Sequence, residues 1–223
     1  MPANQTNMID EATIEAEYRR LDHKLGWRFL ACPKSNIETA SIALVTTNPG
    51  GWRFEEPKWS VEKGNAYEIE EWEWNKKKYP PGQQPLQRQV LRLFELVGAK
   101  SPAEVLTGYF VPFRSRGWKT LHREKESRQF GLKLWGEVFK GAKNVRTIVA
   151  FGKGIEQEMV KLLDAEFVKD YPAHWGKLTI DEYRFGANGK LVMLPHLSRH
   201  SLFNRCHKRE SETSLQDAIA NGR

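Results

Sequence analysis

Apolar residues along this chain follow two different periods, and their alternation sets the expected fold. Short runs rich in Ile, Val, Leu, Thr and Phe occupy 41–48, 107–113 and 145–151. Each meets Pro or Gly at or near its end, as buried strands do. Between them the apolar spacing becomes helical. Over 86–97, Leu86, Val90, Leu93, Phe94 and Val97 share one face, and Gly98 follows as a C-cap. Helices are also expected over 9–24, 66–78, 125–139, 155–163 and about 212–220, the last capped by Ser211. Pro80-Pro81-Gly82 would stop the helix at 66–78, whose Trp72 and Trp74 are expected to serve packing. Ser101-Pro102 reads as an N-cap opening a short helix through Leu106. Residues 178–185 and 190–194 read as a hairpin around Gly186-Ala187-Asn188-Gly189. The pattern predicts an α/β fold, a three-layer α/β/α sandwich on a mainly parallel central sheet. The expected division is an N-terminal helical extension over 1–40 and the α/β/α domain over 41–223.

Composition narrows the function. A chain of 223 residues holds one sizeable domain. Its formal net charge of +7 favours a polyanionic partner, nucleic acid before membrane. With only Cys32 and Cys206, the chain is no disulfide scaffold and has too few thiols for a four-cysteine iron–sulfur cluster. Residues 1–12 lack an apolar signal region, and no apolar run approaches the roughly 18 residues of a membrane span. A cytoplasmic, monomeric protein with no membrane attachment is expected.

Candidate chemistry sits where strands end. Thr47-Asn48-Pro49-Gly50-Gly51, Val111-Pro112-Phe113-Arg114-Ser115 and Leu194-Pro195-His196-Leu197-Ser198-Arg199 would bring an amide, a basic loop and a histidine to one sheet edge. No Gly-x-Ser-x-Gly elbow and no phosphate-binding loop is present, and Phe151-Gly152-Lys153-Gly154 lacks the third glycine of a dinucleotide fingerprint. His196, His200, Cys206 and His207 fit no standard zinc spacing, which argues against a zinc site.

The first and last of these motifs, in this order and at these strand ends, resemble the uracil-DNA glycosylase superfamily. Its members carry Asn-Pro-Gly or a related motif after the first strand and a His-Pro-Ser-like motif after the last. The resemblance spans about 41–203. It implies a monofunctional DNA glycosylase that flips a base out of the duplex, hydrolyses the N-glycosidic bond and leaves an abasic site. The reaction that the resemblance implies requires no metal or organic cofactor. By this resemblance Asn48 positions or polarises the attacking water. His196 donates to the base oxygen as negative charge develops there. Thr47, Pro49, Gly50, Gly108, Tyr109 and Phe110 would shape the base pocket, and Trp52, Phe54 or Trp59 would stack on the base. Ser198 would hold a phosphate, and residues 199–203 would enter the minor groove, with Leu202 or Phe203 as a wedge and Arg199 and His200 beside it. Arg114, Ser115, Arg116 and Lys153 are expected at the DNA surface.

Two residues depart from the family pattern. Asn48 replaces the acidic residue of the most active uracil enzymes. Tyr109 stands three positions before Pro112, where many relatives carry a base-reading Asn, and Gly108 precedes it. Gly108 would open room for a bulky modified cytosine, hydroxymethylated or glucosylated, as in phage DNA, which points to anti-phage defence. Tyr109 reads equally well as plain strand core. Uracil excision in DNA repair and a catalytically silent DNA-binding module are the alternatives.

Overall fold

The computed structural model describes residues 10–204 and 209–220. The chain runs through α1 (Glu11–Arg20), α2 (Asn36–Thr39), β1 (Ile42–Thr46), α3 (Ala66–Ile69), β2 (Trp72–Trp74), β3 (Lys77–Tyr79), α4 (Pro85–Leu96) and β4 (Leu106–Tyr109). It continues through α5 (Glu124–Gly141), β5 (Thr147–Phe151), α6 (Glu156–Leu163), β6 (Glu166–Pro172), β7 (Thr179–Phe185), β8 (Gly189–Leu194) and α7 (Glu210–Ala220). Six strands form one mixed sheet in the order β4-β1-β5-β8-β7-β6. The first four run parallel, and β7 and β6 complete it antiparallel.

Both faces of this sheet are covered. Alternate strand residues Val45, Ile148, Ala150, Leu191 and Met193 point into one core with Ile14 of α1, Leu134 and Trp135 of α5 and Met159 of α6. Their neighbours Leu44, Val149, Phe151, Val192 and Leu194 point into a second core with Tyr67 of α3, Leu93 of α4 and Leu215 of α7. The period of two along each strand sends successive residues to opposite layers, so strands buried on both faces read as continuous apolar runs. The expected α/β sandwich is the one observed.

Local differences have physical causes. The helix expected over 66–78 exists only as α3; beyond it, Trp-Glu-Trp alternates at period two and pairs with β3. Asn75 and Lys76 both take positive φ, 50° and 63°, the two-residue turn that matches strand twist. Strand β6 was not expected at all. It is an edge strand whose only buried residue is Tyr171, so it has no apolar run to announce it. The short helix after Ser101 is a single 3₁₀ turn at Pro102–Glu104, because β4 begins at Leu106.

The segment expected as a helical extension over 1–40 is helical at α1 and α2. Between them Trp27, Phe29, Leu30, Ala31 and Cys32 are fully buried. Their backbone runs antiparallel beside β4, with Arg28 N–H donating to Pro112 O, Tyr109 N–H to Phe29 O and Ala31 N–H to Thr107 O. This segment covers the free edge of β4.

Candidate functional site

The loop after β1 is held by the chain that follows β4. Ser115 N–H donates to Pro49 O and Gly51 N–H donates to Ser115 O, at 3.1 and 3.0 Å. Within this zipper Asn48 is nearly buried. Its Nδ2 donates to Pro49 O (3.1 Å), Ser115 Oγ (2.9 Å) and, at the limit, Phe113 O (3.5 Å). Two of those acceptors are backbone carbonyls, which never donate, so the orientation of the amide is fixed. Ser115 Oγ in turn donates to Gly117 O at 2.9 Å. The relay uses the NH₂ group and leaves Asn48 Oδ1 without a protein partner among the described residues. A carbonyl oxygen free in this way can accept a hydrogen bond from water.

Gly50, beside it, has open space where a Cβ would stand: nothing lies within 4 Å. Ligand backbone can therefore approach closely at this turn.

His196 lies just beyond β8. Ser198 approaches its Nδ1 twice, through Oγ at 2.8 Å and backbone N–H at 3.3 Å. A backbone N–H only donates, so Nδ1 is the acceptor and the proton sits on Nε2. Burial, with help from Arg199, pushes the imidazole pKa down to about 4. His196 is therefore neutral at physiological pH, with an Nε2–H donor. Its ring meets Phe151 edge-on, with centroids 5.2 Å apart.

Gly152, at the end of β5, joins the two motifs. Its φ is +98°, and a Cβ there would stand 2.6 Å from Thr47 Cγ2 and 3.1 Å from His196 Cδ2. Only glycine lets the Thr47-Asn48 loop and the His196 loop close on one another. The ends of β1, β5 and β8 thus converge.

Several expected site residues take other places. Arg114 is buried rather than at the DNA surface: its guanidinium bonds Gly50 O and Glu55 and so braces the Asn48 loop. Ser115 is buried too and positions Asn48. Lys153 donates to Asp181 Oδ2 (2.6 Å) and Thr179 Oγ1 (3.1 Å). Leu202 and Phe203 are fully buried in the second core, so neither projects as a wedge; apolar side chains beside a loop served as its anchor. Phe110 is likewise buried, in the first core. Gly108 opens no room for a larger base, since the missing Cβ would meet Trp135 (3.0 Å), Leu30 and Phe29 O (both 3.1 Å). Tyr109 pairs in register with Thr46 and is nearly buried on the opposite face, in a cluster with Tyr67, Arg28 and Glu70. Burial raises its phenol pKa, with Arg28 and then Arg114 opposing.

Other expected site residues remain accessible. Trp52 and Phe54 are 64% and 54% exposed, and Arg53 lies over the Trp52 ring at 4.4 Å. Trp59 is packed against Phe29. Ser198 and Arg199 are exposed, as is Arg116, and His200 is half-buried against Trp175. Arg116 and Arg199 make no ion pair among the described residues, which suits phosphate contact. Arg116 and Ser115 also line a shallow cleft of about 320 Å³ with His23, Lys24 and His122. Cys206 and His207 lie outside the described residues.

Gln89 of α4 has no counterpart among the residues that the motifs single out. Its Nε2 donates to Leu197 O (2.7 Å), and its Oε1 accepts from Leu202 N–H (2.8 Å) and Phe203 N–H (3.4 Å). One buried amide therefore ties down the loop carrying His196. The signal was a glutamine three residues after Leu86 and four before Leu93, on the apolar stripe of the helix. Gln89→Ala strands these groups, at about 2 kcal/mol, and is expected to lower Tm by roughly 4–8 °C. Thermal melting checks this; an unchanged Tm would show that the loop is held by other contacts.

No helix among the described residues is long and apolar enough to cross a membrane. A scan against protein-family models and a search of curated proteins return no match for this chain.

Proposed function

We propose that this chain is a monofunctional DNA glycosylase of the uracil-DNA glycosylase type, hydrolysing the bond between a flipped pyrimidine and its deoxyribose. The observation that carries the reading is that an unpartnered Asn48 Oδ1 and a neutral His196 bearing its proton on Nε2 sit on loops at the ends of β1 and β8, which close on one another over Gly152 at the end of the intervening β5. Asn48 Oδ1 accepts a hydrogen bond from the attacking water and aims its oxygen at C1′. As the C1′–N bond breaks, its electron pair leaves with the base, and His196 Nε2–H donates to the base oxygen on which that charge gathers. The water oxygen bonds to C1′, and its proton ends on the released base. No residue need be covalently attached. Lys153, the lysine following Gly152, is engaged by Asp181 and Thr179, which supports hydrolysis by water over amine attack.

The packed surroundings of Gly108 remove one sequence-based reason for a bulky substrate; by the resemblance alone, Tyr109, nearly buried here, occupies the position of the amide that reads uracil. The test is base release followed by mass spectrometry. The purified chain is incubated with uracil-containing DNA and, separately, with phage DNA carrying hydroxymethylated or glucosylated cytosine. Release of free base from either supports the reading, and the base released separates repair from defence. DNA binding with no base released from any substrate overturns it in favour of a silent binding module.

A further inference from the structure

Extruding a nucleotide leaves a gap in the base stack, and glycosylase action needs some group to grip the strand beside it. Leu202 and Phe203 are buried and do not reach it. Among the described residues, the large apolar side chains that are exposed are Trp52, Phe54, Ile69, Trp74, Phe167 and Val168. Trp74 is 61% exposed at the tip of the β2–β3 hairpin, and its indole has no ring or hydrogen-bond partner among the described residues.

The hairpin is anchored through its base. Trp72 and Tyr79 face each other at its base, both half-buried, with the Trp72 ring 5.0 Å from Tyr67. Trp74 and Lys77 form the next pair on the same face and overhang the core. An isolated two-stranded hairpin is marginal in water, so the Trp72 anchor and the tight Asn75-Lys76 turn are what hold Trp74 out. Lys76, Lys77 and Lys78 are all exposed, and none makes an ion pair among the described residues; Lys77 lies over the Tyr79 ring at 4.9 Å. Glu73 meets Arg53 at 3.9 Å, and Arg53 stacks on Trp52, so the hairpin touches the loop that follows Asn48.

We propose that the β2–β3 hairpin is a DNA-gripping arm: Trp74 stacks on a nucleobase of the strand carrying the target nucleotide, and Lys76, Lys77 and Lys78 contact its phosphates. The inference rests on the DNA reading above and adds a binding element to it. An exposed indole beside exposed ammonium groups with no carboxylate partner among the described residues matches a single strand, whose bases offer π-faces and whose backbone offers charge.

The test is fluorescence anisotropy with a short fluorescein-labelled duplex holding an abasic-site analogue, and with the matching single strand. Trp74→Ala is expected to weaken binding roughly tenfold, the effect of removing one stacked base. Combined Lys76→Ser, Lys77→Ser and Lys78→Ser should flatten the salt dependence by roughly 0.7–0.9 in log–log slope for each phosphate that is no longer neutralised. Trp74 is exposed, so its variant should melt like the wild type, and that measurement guards against misfolding. Both variants binding with wild-type affinity and slope overturn the arm while the glycosylase reading stands. A wild-type chain that binds no DNA overturns both. Weakened binding by Trp74→Ala in a chain that releases no base leaves the arm and overturns the glycosylase.

Discussion

Asn48→Ala is expected to reduce base release roughly 10²–10⁴-fold, the usual range for a group that directs the reacting water. DNA affinity should change little, because Asn48 is nearly buried and the exposed cations lie elsewhere on the rim. The more informative variant is Asn48→Asp. The most active relatives suggested by the resemblance use an acid at this position, so a simple analogy predicts a faster enzyme. The surroundings here predict the reverse. The Nδ2 group faces Pro49 O, Phe113 O and Ser115 Oγ, and a carboxylate would set an oxygen against the two carbonyls. Neither carbonyl has a proton to offer. Asn48→Asp should therefore be slower and less stable than the wild type, by about 1–3 kcal/mol for the missing donor. Ser115→Ala, which breaks the relay behind Asn48, should lower kcat by up to roughly tenfold with KM unchanged. Single-turnover base release and thermal melting of the three variants check the set. Full activity in Asn48→Ala would remove Asn48 from the chemistry, and an accelerated Asn48→Asp would mean that the loop reorganises around an acid.

How much of this was legible in the sequence depended on the range of the forces involved. Strand β1 and helix α4 were readable because a local apolar period and a local breaker defined each. Pro49-Gly50-Gly51 ends the first, and Gly98, with φ of +79°, ends the second. That the loops carrying Asn48 and His196 leave the same edge of the sheet was legible too, because β1, β5 and β8 run parallel; their closure over Gly152 was not. What misled was local signal settled by distant contacts. Leu202 and Phe203 resemble a wedge until the buried Gln89 amide draws their backbone inward. Arg114 resembles a phosphate ligand until Glu55, far away in sequence, claims its guanidinium. Gly108 resembles spare volume until Trp135 fills it from another element. Trp72 and Trp74 differ only by one β-repeat, yet one packs on Tyr67 and the other overhangs solvent. Segment 27–32 had no clean period to expose it, since it is buried on every side.

The His196 tautomer gives the remaining large prediction. His196→Ala is expected to lose roughly 10²–10³-fold in base release, as removal of a donor to a developing anion does. The pH profile then separates donation by neutral imidazole from donation by imidazolium. The folded-state pKa lies near 4, below the ordinary 6.5, because burial penalises the charged form and Arg199 adds to that penalty. The neutral donor is therefore present throughout the physiological range, and wild-type activity should hold level as pH falls until it approaches 4. If the imidazolium were the working form, activity would instead rise as pH fell. Stability follows the same sign. A histidine with depressed folded pKa contributes fully above the unfolded value of 6.5, and that contribution is lost progressively as pH falls toward 4. His23, buried beside Ser127 with its pKa also down to about 4, acts in the same window. Acid should therefore loosen the fold before it removes the donor. Arg199→Gln removes the second cause of the depression, so the imidazole pKa should move up toward 6.5 and the acid limb of activity with it. Nitrogen chemical shifts of the His196 ring, followed by NMR against pH, read both quantities directly. A proton on Nδ1, or a charged ring at neutral pH, would overturn the assignment of His196 as the neutral donor.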